Sequence, residues 1–319
     1  MSVKQWQKHY GEVLDSVSGF DVIDCKSCGF KHIIPIPSFE ELNEMYKSKY
    51  YEKVDNFFNE RFLEDKDWYD LVFKDRYDSF EKILGFRGNI LDIGCGGGYF
   101  LLYGKNRGWA TLGIDPSIQS INHCKSIGLD VIEGYFDENL SEKLANKFDV
   151  VHLSEVLEHV PDPENTIFSI KKTLKPGGIV CIVVPNDYNP FQVSLIKACN
   201  FKPWWVAPPH HINYFDFSSL ENLLEKVGFT VILKETSFPI DIFLLMGDDY
   251  VGNDNLGRIC HTKRKTFEKN LALAGLNDLK RNIYKALANL NIGREVVIYA
   301  RIKDYIRGQY VGTKAKRNY

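Results

Sequence analysis

Residues 90 to 98 read Ile-Leu-Asp-Ile-Gly-Cys-Gly-Gly-Gly, an apolar strand pattern that runs straight into a glycine-rich turn. A turn of this kind, feeding a helix, lets a ligand lie against bare backbone and the unpaired N–H groups of the helix start. The chain is thereby directed to an α/β fold in which a strand delivers its carboxyl end to a ligand. Spacing separates the two nucleotide-ligand classes that use this device. The dinucleotide fingerprint G-x-G-x-x-G requires glycine at 99, where the chain has Tyr99. Gly94, Gly96 and Gly98 instead spell G-x-G-x-G, with the acid Asp92 two residues upstream.

That pattern resembles the first motif of the class I S-adenosylmethionine (SAM) methyltransferases, and the segments that follow resemble the same superfamily. Residues 111–114 are an apolar segment closed by Asp115, about 20 residues past Gly94, where an acid on a second strand meets a ribose. Pro116 and Ser117 open a helix expected to turn Ile118, Ile121 and Cys124 inward. Further strands are expected at 131–132 and 148–153. The run from Ser154 to Pro163 is similar to the post-strand segment of ubiquinone-type O-methyltransferases, which implies that Ser154 touches the cofactor through backbone. Asp162 caps a helix with Pro163 at its first position and Ile167, Ile170 and Leu174 facing inward. Lys175-Pro176-Gly177-Gly178 stops it before a strand at 179–184.

The resemblance spans residues 76–235. It implies a seven-stranded Rossmann-like core, with an N-terminal cap and a helical insertion between the last two strands. It implies SAM as cofactor, held by Asp92, Gly94, Cys95, Gly96, Gly98, Asp115, Pro116, Ser154 and Glu155. Cys95 is read as a small residue that fits the loop rather than a nucleophile. Glu155, Glu158 and His159 match positions that, in the ubiquinone-type enzymes, supply two glutamates and a histidine to magnesium. The same segment occurs in relatives that use no metal, so Glu155 and His159 are expected to fix the loop and no metal is expected. The acceptor is not specified by any of this.

Composition bears on partners. A net charge of −2 leaves no pervasive basic surface for nucleic acid. The amino terminus lacks the apolar core of a signal peptide, and no apolar run reaches membrane-spanning length. The seven cysteines, an odd number scattered through expected core elements, fit reduced thiols in a cytoplasmic protein. The partner expected is a small-molecule acceptor, including phosphorylated or nucleotide-linked ones, with no membrane and no nucleic acid. Oligomeric state is not legible.

Three additions surround the core at 76–235 and 294–303. The first, residues 1–75, holds Cys25 and Cys28 as a single C-x-x-C pair, then Ser38 and Glu41 spaced as a capping box. Tyr46, Tyr50, Tyr51, Phe57, Phe58, Phe62, Trp68 and Tyr69 follow and are expected to pack as a lid, with Tyr50 or Tyr51 a minor candidate to reach the cofactor. Similar heads, with a zinc ribbon of two such pairs, precede methyltransferases of sugar pathways. A tetrahedral zinc wants four ligands, and His9 or His32 would have to complete the set. A degenerate ribbon without metal is the expectation.

The second addition is the loop at 185–217, which carries Trp204, Trp205, Pro208, Pro209, His210, His211 and Tyr214 before a helix read as capped by Ser218 and Glu221 and ended by Gly228. A loop leaving a strand's carboxyl end is a plausible acceptor site. His211 and Tyr214 resemble a histidine-x-x-tyrosine pattern of sugar C-methyltransferases. The tyrosine those enzymes carry three residues earlier is Pro208 here. His211 is the first choice of base, with His210 second and Tyr214 beside them; the other reading has the histidines only bond the loop to the core. The third addition, 236–293, carries Arg258, Lys263, Arg264, Lys265 and Lys269 and several leucines at helical spacing. That basic cluster is read first as a solvated face and second as an anchor for phosphate. Residues 304–319 form a basic tail.

The resulting expectation is a SAM-dependent methyltransferase acting on a small sugar- or phosphate-containing acceptor, on oxygen, in surface polysaccharide or activated-sugar biosynthesis. A sugar C-methyltransferase and a non-catalytic partner-binding methyltransferase fold are the alternatives.

Overall fold

The computed structural model describes residues 8–38, 40–42 and 51–303, with backbone alone for 51–61. The chain opens with β1 (Gly11–Val17), β2 (Phe20–Cys25) and β3 (Lys31–Ile34), then a long helix α1 (Tyr51–Leu84). Strand and helix then alternate through β4 (Asn89–Ile93), α2 (Tyr99–Asn106), β5 (Ala110–Asp115), α3 (Ile118–Ser126) and β6 (Val131–Glu133). They continue through α4 (Glu138–Lys143), β7 (Phe148–Ser154), α5 (Pro163–Thr173) and β8 (Leu174–Pro185). After α6 (Pro190–Cys199) come β9 (Asn213–Tyr214), α7 (Phe217–Val227) and β10 (Phe229–Thr236). The insertion folds as α8 (Asp241–Leu245), α9 (Asp254–Leu273) and α10 (Asn277–Asn289) before β11 (Glu295–Ile302).

Seven strands form one sheet in the order β10-β11-β8-β7-β4-β5-β6, as expected of the core. The five strands from β8 to β6 are parallel, while β11 inserts antiparallel between β8 and β10. Period-two alternation divides the side chains of β8 between the two faces. Val180, Ile182 and Val184 pack with Ile167 and Ile170 of α5 and Leu220, Leu223 and Leu224 of α7. Ile179, Cys181 and Val183 pack with Tyr77 and Phe80 of α1 and Phe100 and Leu101 of α2. A parallel sheet covered on both faces needs such continuously apolar strands.

Local signals placed the helix ends with two corrections. Asp162 and Ser117 cap as expected, accepting from Asn165 N and Ser120 N. Gly228 ends α7 with φ 95. The cap of that helix is Asp216, however, in a reciprocal box with Ser219, and Ser218 lies one residue inside. Aspartate outcompetes the serine because its side chain reaches the third N–H from a β-region backbone. Ile118 is 56% exposed rather than inward; at the first position of α3 it precedes the turn that packs.

The first addition is not separable from the core, since α1 runs unbroken across residue 75. Ser38 and Glu41 do make their reciprocal box. Tyr46, Tyr50 and the tail at 304–319 lie outside the described residues, as do the side chains of Tyr51, Phe57 and Phe58. The basic cluster of α9 faces acids of α1: Arg258 pairs with Glu64, Lys265 with Asp65 and Lys269 with Asp67, while Lys263 takes Asp248. Beneath them Glu268 is buried and accepts from Trp68 Nε1 and Tyr284 Oη. Among the described residues, no helix is long and apolar enough to cross a membrane.

A second sheet, β1-β2-β3-β9, joins the head to the loop after β8. Lys31 pairs with Tyr214 and His32 with Asn213, antiparallel. Val22, Ile33 and Leu42 of the head then pack with Trp205, Val206, Ile212 and Tyr214 of the loop. Asn213, 2% exposed, donates through Nδ2 to Leu157 O (3.0 Å) and Val160 O (2.8 Å). Asn213→Ala strands both carbonyls and is expected to lower stability by about 1–3 kcal/mol in urea unfolding. A loss below the scatter of surface substitutions would show that water replaces the amide without cost.

Candidate active site

Strand β4 pairs with β5 on one side and β7 on the other, all parallel. Connections therefore leave toward opposite faces, and a crevice opens at the carboxyl ends of β4 and β7. The glycine loop sits there. Gly94, Gly96 and Gly98 have φ of 74, 49 and 73, values that favour glycine. A Cβ on Gly94 would lie 2.4 Å from Val156 Cγ2, and one on Gly98 2.6 Å from Cys124 Sγ. On Gly96 it would meet nothing within 4 Å. The loop is packed inside and open at Gly96, where a ligand can approach backbone.

Asp115 braces this loop. Its Oδ2 accepts from Gly96 N and its Oδ1 from Ser117 N, both at 2.9 Å. A carboxylate offers about four lone-pair sites, so this bracing is compatible with accepting from ribose hydroxyls. Pro116 follows at the mouth of α3. Phe62 of α1 stacks on Tyr99, the residue that follows the loop, with centroids 3.7 Å apart. Cys95 is buried, with its sulfur directed toward Gly113, so its contribution to a ligand is backbone.

Asp92 is engaged with the neighbouring strand beneath the loop. Its in-register neighbour on β7 is His152, whose Nδ1 lies 2.7 Å from Asp92 Oδ1, with both side chains buried. Burial holds the His152 pKa below its ordinary value in spite of the carboxylate. A neutral imidazole thus donates to Asp92 beneath the loop.

Ser154 ends β7 opposite Val183, and Glu155 follows with φ 56, a left-handed value uncommon outside glycine. Glu155 is reached by solvent yet ringed by protein; this confinement and Glu158 beside it push its carboxyl well above the usual range. Glu158 is fully buried, and neither carboxylate oxygen has a hydrogen-bond partner among the described residues. Burial pushes it up to about 8. Asp187, just past β8, is raised well above the ordinary range by burial and then by Glu155 and Asp241. Arg294 lies just before β11; its confinement by protein pulls its pKa down, but the charges of Glu295, Glu155, Tyr250 and Asp241 outweigh this and raise it. Asp187 and Arg294 had no motif to mark them; only the folding of β8 against β11 brings them to the crevice.

His159, in the turn after β7, meets His210 and His211 from the loop that leads into β9. His159 Nδ1 lies 2.6 Å from the His210 carbonyl, so Nδ1 carries the hydrogen and Nε2 is a bare acceptor, 3.6 Å from Glu158 Oε1. His211 packs edge-on against His159 with centroids 5.0 Å apart, and its buried Nδ1 has no partner among the described residues. Burial, then the neighbouring imidazoles, lower His211 to about 4; His210 is lowered by the same causes. Tyr214 is corrected from catalytic candidate to brace. Its buried hydroxyl accepts from Ala207 N (3.3 Å) and donates to His211 O (3.1 Å), closing the loop on itself.

Glu158, His159 and His211 each place a donor atom within 4.8 Å of the others, whereas Glu155 is outside this group. Two imidazoles and one carboxylate are not the oxygen-rich set that magnesium takes. Glu155, Glu158 and His159, the set matching the magnesium positions, do not converge on one point, because the Glu155 carboxylate lies outside the cluster.

Strand order, switch-point crevice and a glycine loop facing an acid on the next strand define a Rossmann-like site for a nucleoside cofactor. Residues 39–234 match the family model described as a methyltransferase domain. The chain belongs to that family, within the class I SAM-dependent methyltransferases. SAM is its cofactor, and the loop left open at Gly96 beside Asp115 fits it. The ubiquinone biosynthesis O-methyltransferase of Caulobacter vibrioides is 40% identical over 129 residues, covering 38% of this chain and 50% of its own. That of Idiomarina loihiensis is 37% identical over 154 residues, covering 43% and 63%. The chain thus spans about half the length of the curated relatives it matches. The crystal structure of a SAM-dependent methyltransferase from Archaeoglobus fulgidus is similar at 19% identity and TM-score 0.46, covering 76% of this chain and 99% of that one.

Two outcomes are expected. Asp115→Ala removes a charged acceptor and a loop brace, and calorimetry should show SAM binding weakened by about 1.5–3 kcal/mol; unchanged affinity would place the ribose elsewhere. Glu158, with a folded pKa of about 8 against an ordinary 4.5, favours the folded state while protonated. Its contribution is complete below pH 4.5 and is lost as pH rises toward 8. Glu158→Gln should flatten that part of the stability–pH curve, measured by thermal melts across the window.

Proposed function

We propose that the chain moves the methyl group of SAM to an oxygen of a small hydroxyl-rich acceptor, a sugar or activated sugar of surface-polysaccharide assembly, in the cytoplasm. The carrying observation is the buried Nδ1 of a neutral His211, which has no partner among the described residues and stands in one cluster with Glu158 and His159. SAM, when bound, supplies a methyl group on a sulfonium. The acceptor's own proton then needs a base, and His211 is neutral throughout the physiological range, ready to take it.

The surrounding groups suit hydroxyls. Glu155, Glu158 and Asp187 are held toward their protonated forms, and a carboxyl group both donates and accepts. The α9 cluster, whose second reading was a phosphate anchor, is engaged with Glu64, Asp65, Asp67 and Asp248. A phosphate or nucleotide carried by the acceptor would meet Arg294 instead. Oxygen is favoured over carbon because the Tyr214 hydroxyl, the partner expected of His211 in C-methylation, is committed to loop backbone. The cytoplasmic placement rests on seven cysteines that are all free thiols.

An acceptor screen by mass spectrometry, with SAM and sugar or nucleotide-sugar candidates, tests the substrate class; methylation restricted to non-hydroxylic acceptors would overturn it. With an acceptor in hand, His211→Ala should lower kcat by about 10²–10⁴-fold while leaving SAM affinity unchanged. Because the folded pKa is near 4, the rate should hold as pH falls past the usual imidazole value and drop only near 4. An acid limb near the unperturbed value of about 6.5 would assign the base to a different, exposed histidine.

A further inference from the structure

The head's cysteine pair takes no part in the crevice, yet it is built into a cluster. Cys25 ends β2, Cys28 lies in the following turn, and His32 stands on β3. His9 precedes β1 and is brought over the turn by Lys26 N donating to Tyr10 O at 2.9 Å and Ser27 Oγ donating to Lys8 O at 3.2 Å. Gly29, with φ 77, bends the knuckle so that its N–H reaches Cys25 O at 2.9 Å. One donor atom from each of His9, Cys25, Cys28 and His32 lies within 4.8 Å of the other three.

The distances are those of a coordination shell. His9 Nδ1 stands 3.1 Å from His32 Nε2, 3.2 Å from Cys28 Sγ and 3.6 Å from Cys25 Sγ. With zinc–nitrogen bonds of about 2.0–2.1 Å and zinc–sulfur bonds of about 2.3 Å, tetrahedral edges come to roughly 3.3 Å between nitrogens and 3.6 Å between nitrogen and sulfur. Hydrogen bonding alone does not satisfy the group. One ring nitrogen has either a single hydrogen or a single lone pair, but three atoms converge on His9 Nδ1. His32 Nδ1 faces the Ile33 carbonyl at 2.9 Å, so it carries the hydrogen and leaves Nε2 as a bare lone pair pointing into the cluster. That carbonyl contact is the outer-shell support a metal-binding histidine characteristically has.

The geometry points to a tetrahedral zinc-class metal site made of His9, Cys25, Cys28 and His32. Two thiolates and two imidazoles select zinc over magnesium or calcium, and loss of both thiol protons on binding leaves the site neutral. Four protein ligands close the shell, so the metal holds structure and does not activate water. Its grip extends to the crevice, because His32 pairs with Asn213 in the strand that follows His210 and His211. The expectation of a degenerate ribbon came from looking for a second C-x-x-C pair. Two histidines, one on each side of the single pair, take its place.

Full-length protein purified without chelator should carry one zinc per chain by mass spectrometry of the elements. Cobalt supplied instead should give the intense visible bands of a tetrahedral ion with thiolate charge transfer. Cys28→Ser should reduce zinc to less than about a tenth of that content, and the half-buried His9→Ala should release it at chelator concentrations at least about tenfold lower. Cys199→Ser, at an exposed thiol, should keep the full complement. Should Cys28→Ser fail to fold, the unsubstituted protein decides: zinc below about a tenth per chain, with cobalt spectra lacking thiolate bands, overturns the site. Zinc retained equally in Cys28→Ser and His9→Ala overturns it as well.

Discussion

Two residues of strand hold the molecule's parts together. Asn213 and Tyr214 pair with β3 through backbone, and every buried backbone group must find such a partner or lose free energy. From that anchor Asn213 reaches the turn after β7 with its amide, and Tyr214 ties the preceding loop from Ala207 to His211 with its hydroxyl. Remove the pairing and the histidines lose their address, because the loop has no other regular structure between α6 and α7. The second sheet is therefore the scaffold of the loop that carries His210 and His211.

The crevice that results is acidic in composition but low in charge. Burial holds the protons on Glu158 and Asp187 and keeps His159 and His211 neutral. A site with little net charge costs less to close over a sulfonium cofactor than one with several exposed ions, since fewer ions are desolvated. Arg294 supplies one positive charge at the rim of this group. Away from this group, the α1–α9 clasp closes on the buried Glu268.

Much of the core was legible because its physics is local. Apolar alternation marked β4, β7 and β8, and glycine at 94, 96 and 98 marked the only backbone that can take those φ values cheaply. What escaped was tertiary. The contact of Asp92 with His152 is made across a strand pair, which no local pattern displays. The Tyr214 hydroxyl is spent on closing the loop from Ala207, seven positions earlier, which no sequence pattern displays. The basic run of α9 could not announce its acids, which lie some two hundred positions earlier in α1. Arg294 and Asp187 carry no pattern at all and meet only because β11 returns beside β8.

Glu155 has a consequence for how this fold can change over time. Its left-handed backbone is a small standing cost that glycine or asparagine would relieve, by roughly 1 kcal/mol. The same position carries the carboxyl that enters the crevice. Heat tolerance and the crevice's chemistry thus pull on one residue in opposite directions. Selection for thermal robustness alone would drift toward the relaxed backbone, while the carboxyl beside Glu158 persists only with the strained glutamate in place.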